Sequence, residues 1–240
     1  PMIGPGSLRN FVSSFMATED NTVVTLNEYD TGVVFASGNG NITDDVQTFN
    51  LNAGESVTVS GYTDFGPNLA GFVGALLTSN KPIVVNTGNA TGGMLDENSG
   101  QDFNLDQIVP VNIVGDEYIV VKGNGSSNTE RPLIIATQDN TQVFINGNPT
   151  AAATLLNAGD YFLVPSSFYS GTVNQNMYIS SNKDVYLYQI IAGAASDATS
   201  GLNFIPPLSC FWQKSVDMIP SFNSIGSTNY PNSEILSLIH

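Results

Sequence analysis

The chain is short of the side chains that carry most catalytic and disulfide chemistry. It has 240 residues but only one cysteine and one histidine. The lone Cys210 cannot form a disulfide within the chain, and its apolar surroundings favour a small buried hydrophobic residue over a nucleophile. The lone His240 nearly excludes a Ser-His-Asp or Cys-His arrangement, since both need a placed imidazole base. A zinc site is disfavoured by the same shortage of ligands.

Charged residues are scarce as well, at 11% of the chain, and only 6 basic residues stand against 21 acidic ones. A net charge of −15 argues against nucleic acid and anionic lipid as partners. No apolar run approaches the roughly 18 residues that a membrane helix requires. Polarity comes instead from Asn, Ser, Thr and Gly, a composition typical of extracellular or cell-surface proteins. With so little cysteine, it fits a bacterial or archaeal exterior best.

What the chain does contain is a repeat of its own segments. Three segments return in the same order, at intervals that shorten along the chain: Ala17–Thr22 as Ala136–Thr141, Leu51–Glu55 as Leu156–Asp160, and Ser79–Lys81 as Ser181–Lys183. This pattern predicts a tandem duplication with shorter loops in the second copy. We expect copy one at residues 1–105, copy two at residues 106–208, and the start of a third copy or a C-terminal extension at residues 209–240.

Nearly every periodic segment has the pattern of a β-strand. Ser56–Ser60 alternates with period two, and Pro82–Val85 is an apolar run of strand length. Clusters of Gly, Asn, Ser and Pro separate such runs, and no window shows helical periodicity. The sequence therefore predicts an all-β fold of tandem β-sandwich-like domains. Leu51–Gly54 and Leu156–Gly159 are predicted to form the same tight turn, with glycine at positive φ.

Oxygen-rich segments recur at equivalent places in the two copies and make calcium the most plausible ion. Asp20 and Asn21 in copy one correspond to Asp139 and Asn140 in copy two, and calcium prefers such oxygen ligands on loops. The alternative is an Asp-Asn turn whose side chains bind backbone groups, and we favour it because no Asp-x-Asp-x-Asp-Gly loop is present. We expect no cofactor and leave calcium open.

Four of the six basic residues also recur, as Arg9 with Arg131 and Lys81 with Lys183. They indicate either a retained ion pair with a neighbouring acid or solubilising charges. Among the aromatic residues, Phe168, Tyr169 and Trp212 are candidates for an exposed ligand-binding platform. The alternative for aromatic residues in a β-protein is the hydrophobic core. Exposure of Phe168 and Tyr169 distinguishes the two.

Several segments resemble the IgGFc-binding protein N-terminal domain family. They share its strand and turn motifs and are Asp106–Val111, Gly115–Val121, Ala136–Val143, Ser79–Gly88 and, as the opening of a further copy, Phe204–Leu208 with Trp212–Lys214. The resemblance implies extracellular display. Its animal members bind the Fc region of immunoglobulin G, and its bacterial members resemble segments of large adhesive proteins. This chain lacks the cysteines of the animal members, and no catalytic residue is transferred with the motifs.

Together these observations predict a non-enzymatic adhesive or structural segment of a large bacterial surface or secreted protein, such as an adhesin, stalk or filament. The expected partner is a protein or glycan on another surface, with self-association as a further expectation. The terminal strand Glu234–Ile239 is expected to pair outside its own unit or to lie exposed at an edge. Two alternatives remain, a carbohydrate-binding module, with or without calcium, and a secreted glycoside-active enzyme built on two carboxylates.

Overall fold

The computed structural model describes residues 9–36, 46–63, 66–92, 102–123, 125, 129–191, 201–208, 224–225 and 228–229. The chain divides into two compact units, residues 1–207 and residues 208–240. The predictions on Cys210, Trp212, Glu234–Ile239 and His240 lie outside the described residues. The second unit contributes the two-residue strands β15 and β16 of one antiparallel pair, Ser224–Ile225 and Thr228–Asn229.

Among the described residues, the first half of the larger unit contains seven strands in two antiparallel sheets. In chain order they are β1 Asn10–Ala17, β2 Thr22–Asn27, β3 Gln47–Leu51, β4 Ser56–Tyr62, β5 Leu76–Ser79, β6 Ile83–Gly92 and β7 Asp102–Gln107, with a 3-10 turn at Gly66–Leu69. One sheet has the order β4-β1-β6-β7 and the other has the order β3-β2-β5. Phe15 of β1, Val24 of β2 and Leu51 of β3 share one buried cluster. The two sheets therefore pack on a common core.

The second half contains seven further strands in one connected sheet. They are β8 Gly115–Val121, β9 Arg131–Ala136, β10 Thr141–Ile145, β11 Ala153–Leu155, β12 Tyr161–Leu163, β13 Asn176–Ile191 and β14 Gly201–Phe204, with 3-10 turns at Val111–Ile113 and Ser166–Phe168. The 16-residue strand β13 links two layers. Its first part pairs with β10 on one side and β8 on the other, and its last part lies between β9 and β14.

The two cores differ in composition. The first half buries an aromatic cluster in which Phe11 stacks on Phe72 with ring centroids 4.4 Å apart and an interplanar angle of 13°. The core of the second half is largely aliphatic and includes Ile134, Ile179 and Leu187, each fully buried. Buried residues alternate with more exposed ones along β2 and β10. This is the pattern expected of short, β-branched strands that have one face on the core.

Strand pairing follows matching registers in the two halves. Ala17 pairs with Ile83 where Ala136 pairs with Val185, and Val24 pairs with Ser79 where Val143 pairs with Ser181. The pairs Met16–Ser56 and Ile135–Tyr161 correspond in the same way. The prediction of an all-β fold is confirmed. Tandem duplication and its boundaries remain predictions, and the matching registers are consistent with them.

Two details of the sequence comparison need correction. Thr22 pairs with Leu51, whereas its counterpart Thr141 pairs with Leu155. Leu155 is 6% exposed and Leu156 is 62% exposed. Leu155 therefore takes the place of the buried Leu51, and the second copy carries one extra residue before the turn.

The arginine correspondence is also wrong. The register puts Arg131 opposite Ile190, in the place where Val12 lies opposite Gly88, so Arg131 does not correspond to Arg9. The Arg131 guanidinium donates hydrogen bonds to the carbonyls of Val164 and Leu163, at 3.2 and 2.9 Å, and not to a carboxylate. Burial lowers the pKa of this guanidinium.

Candidate interaction surface

The Asp-Asn segments form closely similar turns at the start of β2 and β10. Asn21 and Asn140 both have φ of 56°, the left-handed conformation that asparagine tolerates best after glycine. The Oδ1 atom of Asp20 accepts a hydrogen bond from the Ala53 amide at 3.1 Å, and Oδ1 of Asp139 accepts one from the Ala158 amide at 2.9 Å. The carboxylates therefore bind backbone groups of the neighbouring turn.

That neighbouring turn contains the predicted glycines. Gly54 has φ of 82° and Gly159 has φ of 86°, which confirms the expected positive φ in both copies. The Gly54 amide donates to the Ala17 carbonyl and the Gly159 amide donates to the Ala136 carbonyl, each at 2.9 Å. Only glycine adopts this conformation without strain from a Cβ atom.

The repeated Ser-Asn-Lys segments complete the same turns, and each of their side chains has a defined hydrogen bond. The Ser79 and Ser181 hydroxyls donate to the carbonyls two residues ahead, at 2.6 and 2.7 Å. Oδ1 of Asn80 accepts from the Val23 amide at 2.8 Å, just as Oδ1 of Asn182 accepts from the Gln142 amide at 2.7 Å.

The two lysines bind carbonyl oxygens of the Asp-Asn turns. Lys81 Nζ donates to the Asp20 carbonyl and Lys183 Nζ donates to the Asp139 carbonyl, both at 2.5 Å. Lys81 also forms an ion pair, one of the two alternatives for the recurring basic residues, with Nζ 4.0 Å from Oε2 of Glu19. We call each set of Asp-Asn turn, glycine turn and Ser-Asn-Lys segment a turn clip.

All four predicted metal-site residues have a structural role in the turn clips. Asp20 and Asp139 are hydrogen-bonded acceptors, and Asn21 and Asn140 occupy the left-handed turn position. In the part of the chain that the structure describes, no group of three or more His, Cys, Asp or Glu residues could hold a metal ion. The geometry corresponds to the alternative of an Asp-Asn turn that binds backbone groups.

The aromatic candidates are separated by burial. Phe168 ends a 3-10 turn and is 36% exposed, whereas the adjacent Tyr169 is 8% exposed and belongs to the core. Burial, followed by the charge of Glu130, raises the pKa of the Tyr169 hydroxyl well above its usual range. These two residues therefore do not form a two-ring platform. Trp212 lies outside the described residues.

An interior polar cluster in the second half was not anticipated from the sequence. Glu130 is fully buried, and its carboxylate accepts hydrogen bonds from the amides of Gly123 and Gly125 at 3.1 and 3.0 Å. Gln189 Nε2 lies 3.5 Å from Oε2 of Glu130 and donates to the Val121 carbonyl at 2.6 Å. In the sequence, the feature that marks this cluster is a Glu directly before the apolar strand β9.

The glycine at position 74 brings the two halves into contact. A Cβ atom added at Gly74 would lie 2.0 Å from the carbonyl oxygen of Gly159, the turn glycine of the second half. The neighbouring Val73 packs against the outer cluster of Leu133, Tyr188 and Ile190. The second turn clip therefore has a structural contact that the first lacks, since nothing lies within 4 Å of a Cβ built at Gly54.

These features define an antiparallel β-protein whose recurring polar side chains stabilise turns within each half. The family model described as IgGFc binding protein matches residues 4–236, and the chain belongs to this family. No curated protein and no solved structure matches the chain. No helix in the described residues is long and apolar enough to cross a membrane. The family assignment suggests an extracellular binding or surface domain.

Proposed function

We propose that the chain is an adhesive or structural segment of a larger bacterial surface or secreted protein, and that it binds a protein on another surface. The observation that carries this proposal is the family match over residues 4–236. Its description as an Fc-binding family refers to a protein ligand, which makes a protein the first class of partner to test.

The hydrogen bonding of the polar side chains supports a structural frame rather than a catalytic site. The carboxylates of Asp20, Asp139 and Glu130 each accept bonds from backbone amides. Each of these carboxylates orders the backbone of a turn or loop, which is a structural role. We therefore propose that the segment is not an enzyme and that its loops and sheet edges carry the interaction.

The test is adhesion of beads coated with the 240-residue chain to surfaces of immobilised glycoprotein. We expect saturable binding that persists after enzymatic removal of the glycans, because the proposed partner is protein. Purified Fc and Fab fragments of immunoglobulin G serve as a matched pair of ligands. Binding to Fc but not Fab would identify the family's named ligand as a ligand of this chain too.

Other outcomes would contradict parts of this proposal. Binding that disappears with the glycans would favour a carbohydrate-binding module instead. Hydrolysis of the glycans by the chain alone would favour a glycoside-active enzyme. If the coated beads adhere to every surface no better than uncoated beads do, adhesion has no support and the proposed function is restricted to a structural one.

We also propose that folding does not need calcium, because the turn clips use the Asp20 and Asp139 carboxylates internally. Thermal unfolding in calcium chloride and in a chelator should give the same midpoint. A midpoint that rises with calcium and falls in an Asp139→Asn variant would contradict this and support a calcium site, since ligand binding to the folded state raises stability.

A further inference from the structure

We propose that the outer edge of β5 accepts an extended strand with the chemistry of β8, supplied by another repeat of this kind. The inference starts from the sheet orders of the two halves. In the second half, β11, β10 and the first part of β13 are followed by β8. In the first half, β3, β2 and β5 correspond to the first three, and no described strand lies beyond β5.

The register identifies which residues of β5 would receive the strand. Leu26 pairs with Leu77 in the place where Ile145 pairs with Ile179. On its other side, Ile179 pairs with Tyr118 of β8. Leu77 therefore occupies the position at which the second half binds β8.

Hydrogen-bond alternation directs the free groups of β5 outward at that position. The Asn80 amide donates to the Val23 carbonyl at 3.2 Å. Because antiparallel strands alternate between paired and unpaired residues, Leu76 and Thr78 direct their backbone groups towards β2. The backbone groups of Leu77 and Ser79 then point away from β2, towards the position that β8 takes in the other half.

Side-chain exposure differs between the edge that β8 covers in the second half and the β5 edge in the first half. Ile179 is fully buried beside β8, which contributes the buried Tyr118 and Val120 to the same core. Its counterpart Leu77 is only partly buried, and Leu76 beside it is 39% exposed. An apolar edge that lacks its neighbouring strand is the surface that strand addition would cover.

The sequence of β5 lacks the usual protection of a free edge. Its four residues, Leu-Leu-Thr-Ser, include no charge and no proline. By contrast β8, which pairs only with β13 among the described strands, carries Asp116 and Glu117. Natural proteins place charges or proline on edges that must stay unpaired. The uncharged β5 edge and the charged β8 edge therefore suit different roles.

The first test uses the intact chain and a synthetic peptide with the sequence of residues 114–122. We expect the peptide to bind and to slow hydrogen exchange at the Leu77 and Ser79 amides specifically. The matched controls are two N-methylated peptides. Val120 faces Met177 in a paired position, so methylation of its amide should weaken binding at least about tenfold, the effect of losing one hydrogen bond with added steric clash. Methylation at Ile119, whose amide faces outward, should have little effect.

The second test removes the need for intermolecular affinity. In a fused chain, an extra copy of residues 114–121 precedes Pro1, so that residues 1–9 link the added strand to β1, the same number of residues that joins β8 to β9 in the second half. We expect a higher Tm and protected Leu77 and Ser79 amides relative to the same fusion carrying Val120→Asp in the added segment. If the peptide does not bind and the fusion shows no gain in Tm, the proposal is overturned. Equal weakening of binding by both methylated peptides would also overturn it.

A third outcome separates strand addition from self-pairing. Constant protection of the Leu77 and Ser79 amides in the unmodified chain would show an edge that the chain itself already covers, and that result would overturn the proposal. Protection that rises with protein concentration would show that a second copy supplies the strand, and it would support the proposal. The inference stands apart from adhesion, since bead adhesion of the unmodified chain can fail while the β5 edge still accepts the strand.

Discussion

The two halves of the larger unit use the same turn clips but fill the same interior position differently. Phe11, the second residue of β1, is stacked in an aromatic cluster. Because Arg131 corresponds to Val12, the residue before it, Glu130, corresponds to Phe11, and its carboxylate accepts hydrogen bonds from the Gly123 and Gly125 amides. One half stabilises this end of its core with ring packing, and the other stabilises it by ordering a loop.

The difference indicates which interactions define the frame and which are free to vary. Hydrogen bonds of Asp20, Asn80 and Lys81 have direct counterparts in the second half, with similar distances. These bonds fix where each strand begins and therefore set its register. Interior side chains need only fill the space between sheets whose spacing is already set, so their chemistry can change.

The largest expected loss of stability comes from substitutions at the interior position that holds Phe11 in one half and Glu130 in the other. Phe11→Ala should lower the free energy of unfolding by about 3–5 kcal/mol, the usual cost of removing a buried phenylalanine. Glu130→Ala should cost less, about 1–3 kcal/mol, because it leaves two amides without their acceptor. Denaturant unfolding of both variants gives the comparison. Equal losses would mean that Glu130 is as important to packing as the aromatic ring.

A second effect tests the contact between the halves. Gly74→Ala should cost about 2–4 kcal/mol, since its φ of 84° is unfavourable for alanine and its Cβ would clash with the Gly159 carbonyl. Gly54→Ala is the matched control, with φ of 82° but open space around it, and should cost only about 1–2 kcal/mol. Thermal melts of the two variants that coincide would argue against a close contact at Gly74.

Alkaline pH should act through buried tyrosines of the second half. Burial raises the pKa of Tyr118 to about 12 from a usual value of 10, and its hydroxyl donates to the Val185 carbonyl at 2.5 Å. Because the folded-state pKa is the higher one, this stabilisation is complete below pH 10 and is lost as pH rises towards 12. The expected loss from Tyr118 is about 2–3 kcal/mol.

Denaturant midpoints measured between pH 9 and pH 12 would show this loss. Tyr118→Phe should be less stable at pH 9, because its hydrogen bonds are gone, and should lose less stability on further rise in pH. Tyr188 should add to the slope in the wild-type chain, since burial raises its pKa as well. Parallel curves for the wild type and Tyr118→Phe would contradict the assigned cause.

The smallest effects concern the lysines of the turn clips. Lys81→Met and Lys183→Met should each cost about 0.5–1.5 kcal/mol, the net value of one hydrogen bond. Among the described residues, Lys81 forms an ion pair with Glu19 and Lys183 forms none, so the contribution of Lys81 should weaken slightly more in high salt. Glu19→Gln should remove that difference, because the second half has Gln138 at the same place. A salt response that persists in Glu19→Gln would contradict this origin.

Local features of this chain could be predicted from the sequence because they depend on short segments. The positive φ of Gly54 and Gly159 follows from the repeated turn sequence, and the half-buried strands follow from alternation. The role of Lys81 was less accessible, since a carbonyl acceptor leaves no mark in sequence. Burial of Tyr169 beside the exposed Phe168 depends on the tertiary position of one 3-10 turn, which adjacent aromatic letters do not reveal.

The interior position could not be predicted for a related reason. Glu130 reads as a surface residue before an apolar strand, and its burial depends on two amides contributed by a preceding loop. The misplaced leucine had a different cause. Sequence identity aligns Leu51 with Leu156, whereas in the structure Leu155 pairs with Thr141 and is the counterpart of Leu51. A one-residue insertion before a turn reverses which side chain faces the core.

The long strand β13 has a mechanical consequence for a segment that experiences tension. In the first half, Pro82 separates β5 from β6, so the two sheets are joined there by a short loop. In the second half, the corresponding residue is Asp184, and β13 continues through 16 residues that belong to both layers. Pulling the layers of the second half apart must break several backbone hydrogen bonds of β13 together, whereas the first half can open at the loop between β5 and β6. We therefore expect the first half to open at the lower force.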